Sequence, residues 1–256
     1  MIITKLQGGL GNQLFQWAYG KALAVKHNTS LFLDASFYYN QTGNTPRVYE
    51  LDKFPNLIYQ DSYIDAKETI SVVDNFNYGE LLYNENYNYF LNGFWQSEKY
   101  FLNTSELIRE QLQPTTEILE KLKKQINGKS VSLHVRRTDY VTSNGFHPVQ
   151  TVEYYNKAIE TIGSYDQILV FSDDINWCKE NLNYKNVLFV ENQDNVEDMW
   201  LMSLCDHNII ANSSFSWWGA WLNKNKDKIV VTPKNWFGSQ SNLNDLDITP
   251  VNWIKI

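Results

Sequence analysis

The sequence predicts an α/β protein whose parallel strands are covered by helices, and three features carry that expectation. Strand-like and helix-like stretches alternate along the whole chain. The rhythm is most regular after Gly128-Lys129, where five short apolar strands each lead through a loop to the next element. Composition agrees: 43% hydrophobic and 20% charged residues over 256 positions allow one large domain or two compact halves with their own cores.

The elements follow in order. A strand ending near Leu6 enters the glycine turn Gly8-Gly9-Leu10-Gly11, and a helix is expected from about Asn12 to Lys26. There Leu14, Trp17, Ala18, Lys21, Ala22 and Val25 recur at helical spacing. Leu31–Asp34 reads as the next strand. Residues 37–88 are rich in Asn and Tyr, with loops and short elements expected, and Tyr89–Trp95 reads as a further strand. Thr104–Asn127 reads as helix broken at Pro114. The turn Gly128-Lys129 is the expected boundary between an N-terminal half, 1–128, and a C-terminal half, 129–256. Strands are then expected at Ser130–His134, Gln167–Phe171, Asn186–Val190, Asn208–Ala211 and Ile229–Thr232. Helices are expected at Val152–Ile162, Ile175–Leu182, Val196–Leu204 and Phe215–Asn223. In open parallel sheets ligands bind outside the carboxyl ends of the strands, so the loops there are where chemistry is sought.

Charge and cysteine usage exclude several classes. Lys and Arg number 22 against 29 Asp and Glu, a net charge of −7, which argues against a nucleic-acid partner. Cys178 and Cys205 fall in helical segments and form no disulfide framework, which fits a reducing, cytoplasmic compartment. No apolar run approaches the ~18 residues that span a bilayer, which leaves room only for peripheral association at the inner face of a membrane.

Three strand ends carry candidate chemistry. The first is His134-Val135-Arg136-Arg137-Thr138-Asp139-Tyr140. Continued strand alternation would send His134 and Arg136 to one side and Arg137 to the other. Paired arginines at a strand exit suit a diphosphate, whose oxygens match the guanidinium fork, or else an internal salt bridge with Asp139 or another carboxylate. The second is Ser172-Asp173-Asp174 before a helix. One of the three serves as N-cap; the acids otherwise suit the neighbouring N–H donors of a guanine edge, and less well a metal, since no spaced Asp-x-Asp triplet supports one. The third is Asn212-Ser213-Ser214-Phe215-Ser216-Trp217-Trp218-Gly219, where hydroxyls and free N–H groups at a helix start form an anion site, cap the helix through Ser213 or Ser214, or do both. The turn at Gly8–Gln13 permits close backbone approach to a ligand, but its spacing does not meet the dinucleotide fingerprint.

Together these stretches resemble the α-1,2-fucosyltransferases of glycosyltransferase family 11. The resemblance rests on Gly8-Gly9-Leu10-Gly11-Asn12-Gln13-Leu14-Phe15-Gln16, on Gly93-Phe94-Trp95-Gln96-Ser97-Glu98-Lys99-Tyr100-Phe101, on the His-x-Arg-Arg-x-Asp stretch at His134–Asp139, and on Ser214-Phe215-Ser216-Trp217-Trp218 with Ala220-Trp221-Leu222. Thr138 departs from the Gly common there and is similar to the α-1,6 enzymes. Those enzymes also carry a Glu base shortly afterwards, where this chain has Asn144, so no base is carried over.

The resemblance implies a GT-B-like fold of two Rossmann-type halves with the active site in the cleft between them. It implies inverting transfer of fucose from GDP-fucose, without a metal or other cofactor, to a galactose-terminated oligosaccharide, as in O-antigen assembly. Arg136 would hold the β-phosphate, with Arg137 in support. His134 would contact the nucleotide, Asp173 or Asp174 the guanine, and Ser213, Ser214, Phe215 and Ser216 the phosphates, while Asn12 and Gln13 would line the donor site. Asp139 is a candidate catalytic residue or an arginine partner. The competing expectations are a fucosyltransferase of another linkage, α-1,6 or protein O-linked, and a non-catalytic nucleotide-sugar-binding protein.

Overall fold

A computed structural model describes residues 1–41, 45–59, 66–143 and 145–256; Asn144 therefore lies outside the described residues. Two compact units divide the chain. The first comprises Met1–Gln113 with Leu246–Pro250, and the second Pro114–Asp245 with Val251–Ile256.

In the first unit, β1 (Ile2–Lys5), α1 (Leu10–Lys26), β2 (Leu31–Asp34), β3 (Thr69–Val73) and β4 (Asn88–Asn92) form a parallel sheet in the order β2-β1-β4-β3. The central strand β1 is buried along most of its length and α1 presses Leu14, Phe15, Trp17 and Ala18 into the core, which is the helical spacing read from the sequence. Strand β3 falls in the stretch where only loops and short elements were expected. It is an edge strand, exposed on nearly every residue, so its stability comes from pairing with β4 rather than from a buried face. Strand β4 ends at Asn92, three residues before the apolar run does. The Asp74 carboxylate accepts the N–H groups of Phe94 and Trp95 and bends the chain there. The helix α2 (Ser105–Gln111) closes this unit.

The second unit begins at Pro114 with α3 (Thr116–Lys123), capped by the Thr115 hydroxyl. Its sheet contains β5 (Ser130–Val135), β6 (Gln167–Ser172), β7 (Val187–Phe189), β8 (His207–Ile209), β9 (Val230–Thr232) and the short β10 (Ile254–Lys255), in the order β10-β9-β8-β5-β6-β7. All recorded pairings are parallel. The five expected strands are present, and β10 is an addition from the extreme C-terminus. Helices α4 (Thr138–Val141), α5 (Val152–Ile162), α6 (Ile175–Asn181), α7 (Asn195–Leu204) and α8 (Ser214–Leu222) complete the unit. Every residue of β5 is buried, as expected for a central parallel strand covered on both faces. Its apolar side chains pack with Tyr155, Ala158, Ile168, Val170, Ile209 and Val231 in one core. No helix among the described residues is long and apolar enough to cross a membrane.

Candidate active site

In the second sheet β8, β5 and β6 are neighbours, so their carboxyl ends open side by side. The three predicted strand-end motifs therefore share one edge. His134 is the next-to-last residue of β5, buried, with its ring 5.6 Å from that of Phe215 at the start of α8. Burial away from water disfavours the imidazolium and takes its pKa down to about 3, against the opposing pull of Asp173. Burial thus favours the neutral imidazole, and its buried Nδ1 has no hydrogen-bond partner among the described residues.

After Val135 the chain leaves the strand and turns at once into α4, so strand alternation does not extend to the arginines. They diverge all the same, because different acids hold them. Arg136 meets Asp139 through Nη2 at 2.6 Å and Asp173 through Nη1 at 3.1 Å, and its guanidinium lies 5.4 Å from the Tyr140 ring centre. Arg137 donates through Nε to Asp174 at 3.1 Å and lies over the Trp177 ring at 4.1 Å. Both side chains are about one-fifth exposed (19% and 20%), so they are largely desolvated yet reachable. The internal ion pairs weighed at the sequence level are thus formed, and they set the guanidinium planes in place without using all their N–H donors.

The acid pair is engaged in the same network. Asp173 accepts the Arg137 main-chain N–H at 2.9 Å and the Thr138 hydroxyl at 2.5 Å, which gives the threonine at that position a structural task. Asp174 is the N-cap of α6, accepting from Trp177 N. Asp139 faces Arg136. Among the described residues no group of three or more His, Cys, Asp or Glu side chains is arranged to hold a metal.

The helix α8 starts without a side-chain cap: Ser213 occupies the N-cap position but its hydroxyl makes no capping bond. Ser216 instead donates to the Ser213 carbonyl at 3.3 Å. Among the described residues, the first-turn N–H groups thus carry the positive end of the helix dipole without a capping side-chain oxygen. Ser214 and Phe215 are partly exposed there, whereas Ser213 and Ser216 are buried. Tyr140 ties the two strand ends together, donating its hydroxyl to the Asn212 carbonyl at 2.9 Å.

Asn12 and Gln13 lie in the first turn of α1, in the other unit. The Gln13 amide is committed to main chain: Nε2 donates to the carbonyls of Gly8 and Val48, and Oε1 accepts from Glu50 N. It braces the glycine turn. Asn12 accepts from Gln96.

Two features of the second unit escaped the sequence reading. Asp198, in the first turns of α7, is half-buried, and desolvation raises its carboxyl to about 6 despite a hydrogen bond from Gln193. Beside Asp194 and Glu197 at the same helix start, it looks in sequence like one more dipole partner, and only burial distinguishes it. His147 stacks on Tyr140 at 4.5 Å and 12°, a contact made through a loop the sequence does not register.

Two parallel-sheet units, one with arginines and an uncapped helix start at its strand ends, define a GT-B-like α/β protein. Comparison with known proteins carries this further. The model of glycosyl transferase family 11 matches residues 67–256, and the chain belongs to that family. It is 36% identical to the "Alpha-1,2-colitosyltransferase" of Escherichia coli, with 100% of this chain and 99% of that protein covered. It is also 36% identical to the "O-antigen biosynthesis glycosyltransferase WbnK" of Escherichia coli, over 98% and 99%. Among solved structures, NodZ alpha-1,6-fucosyltransferase soaked with GDP-fucose shares the fold at a TM-score of 0.52. That match has 14% identity and covers 86% of this chain and 91% of that one.

Proposed function

We propose that the protein transfers L-fucose from GDP-β-L-fucose to the 2-hydroxyl of a terminal galactose, with inversion and without a metal. The observation that carries the proposal is the meeting of Arg136, Arg137 and the uncapped start of α8 on one sheet edge. The acceptor oxygen attacks C1 of fucose, the C1–O bond to the β-phosphate breaks, and its electron pair goes to the phosphate oxygen. The hydroxyl proton leaves to solvent or a base. The leaving diphosphate gains charge in the transition state, so donors aimed at it stabilise that state more than the ground state. Arg136 takes this role, its plane already set by Asp139 and Asp173, and α8 supplies N–H groups to the same anion.

The linkage is supported by the α-1,2 designation of the colitosyltransferase relative, and a role in O-antigen assembly by the WbnK relative. Two unpaired, buried cysteines fit a cytoplasmic enzyme. The colitosyl relative also favours one second reading, in which the donor sugar is colitose, fucose without its 3-hydroxyl.

Purified protein incubated with GDP-fucose and a panel of β-galactosides in EDTA should give an α-1,2-linked product by linkage analysis. Activity lost on chelation and restored by Mg²⁺ or Mn²⁺ would defeat the metal-free mechanism, and an α-1,6 product would defeat the linkage. A kcat/KM at least tenfold higher with the GDP-linked 3-deoxy sugar would establish the second reading.

A further inference from the structure

We infer that the side-chain amides of Asn12 and Gln96 form a subsite for neutral sugar hydroxyls in the first unit. The inference rests on the fucosyltransferase reading only for which sugars to try. The two residues follow β1 and β4, which are hydrogen-bonded neighbours. Both therefore lie just beyond the carboxyl ends of adjacent parallel strands, the edge where ligands of such sheets bind.

The pair has an unusual inventory of open groups. Gln96 Nε2 donates to Asn12 Oδ1 at 2.8 Å, and neither amide has a main-chain partner among the described residues. This leaves the Asn12 NH₂ as donor and the Gln96 carbonyl as acceptor. Turning both amides over leaves one donor group and one acceptor again. Gln13 and Gln16 show the contrast. Both are fully buried, and both spend their amides on backbone groups, Gln16 on Gly93 O and Gln7 N. They are braces, whereas Asn12 and Gln96 are half-buried and face one another.

The fold goes to some length to bring them together. Gly8 has φ +81°, and a Cβ there would lie 2.6 Å from Asn12 Nδ2. A Cβ on Gly93 would lie 2.1 Å from that of Asp74. Trp95, next to Gln96, sits at φ +53°, a left-handed conformation that is strained for a bulky residue. Asp74 holds it there by accepting the Phe94 and Trp95 N–H groups at 3.1 and 2.8 Å.

An uncharged donor beside an uncharged acceptor selects its ligand class. A phosphate offers acceptors only and would meet the Gln96 carbonyl unfavourably. Sugar hydroxyls both donate and accept, and two adjacent ones complement the pair. The sugar could be that of the acceptor glycan or the fucosyl ring of the donor, and kinetics separates them.

The test uses Gln96→Glu. Asn12 can turn its amide to donate to the new carboxylate, so the pair stays joined while its open donor is replaced by an acceptor. Gln96→Leu is the second variant. With GDP-fucose and lactose as substrates, both should raise one sugar substrate's KM about tenfold, the scale of one lost hydrogen bond. GDP affinity by calorimetry and Tm should stay unchanged. A rise confined to lactose assigns the acceptor sugar, and one confined to GDP-fucose assigns the fucosyl ring. The inference is overturned if both KM values stay within twofold of wild type, if GDP affinity falls in step, or if only Tm drops. Should the wild-type protein not turn over GDP-fucose, the proposed function falls by itself. The subsite is then judged on lactose binding by saturation-transfer NMR: binding weakened in Gln96→Glu supports it, and equal signals in the two proteins overturn it.

Discussion

Arg136 leaves the end of β5 with its guanidinium between the carboxylates of Asp139 and Asp173. Its type and strand-end position point to an anion, but a salt bridge and a phosphate clamp share that pattern. The structure places acids on it, Asp139 at 2.6 Å and Asp173 at 3.1 Å, and those partners make it a pre-set fork rather than a mobile charge. If it stabilises the leaving diphosphate, Arg136→Lys keeps the charge and loses the planar fork, and kcat should fall about a hundredfold or more. Circular dichroism should show the variant folded. A near-normal kcat in folded Arg136→Lys would confine the arginine to holding the loop. His134 shows the other side of the problem. Its neutrality follows from burial, and nothing in the sequence distinguishes a buried imidazole from an exposed one.

Elements show the same division. The helix α8 is legible in Phe215–Asn223, yet its missing cap is not, because Ser213 stands where a capping hydroxyl is expected and makes no such bond. In α7 the competing effects can be ranked. A carboxylate near a helix start gains up to about 1 kcal/mol from the dipole. Desolvation of Asp198 outweighs that, raising its folded pKa from 3.8 to about 6. Between those values the folded state holds the proton more tightly than the unfolded chain, so stability falls as pH rises through the window and the penalty is complete above it. Discounted for partial exposure, the penalty is on the order of 2 kcal/mol. Asp198→Asn keeps the acceptor for Gln193 and should raise Tm by about 4–8 °C at pH 8. The gain should vanish near pH 4, and thermal melts at the two pH values test the sign. An equal gain at both would mean that the acid is not desolvated. Strand β3 was missed for a related reason: an exposed edge strand has no alternating burial to print on its sequence.

At the scale of the whole molecule, ligand linkage offers a test of where the nucleotide goes. GDP at a hundred times its Kd should stabilise the protein by about 2.7 kcal/mol. Hydrogen-exchange protection should concentrate in 134–140, 172–174 and 213–217. A Tm rise without protection in those segments would move the nucleotide site elsewhere. Alternation of apolar runs, glycine turns and the break at Pro114 determined the α/β class, most helices and the five main strands of the second unit, since these depend on local propensity and period. Family membership was likewise legible in the four motifs. The tertiary structure decided what each motif's side chains do: that Asp173 and Asp174 hold arginines, that Gln13 braces a turn, and that Asn12 and Gln96 meet across 84 positions of chain. Hydrogen-bond partners and desolvation are properties of proximity. Residues far apart in sequence acquire them only when strand order brings two loops to one sheet edge.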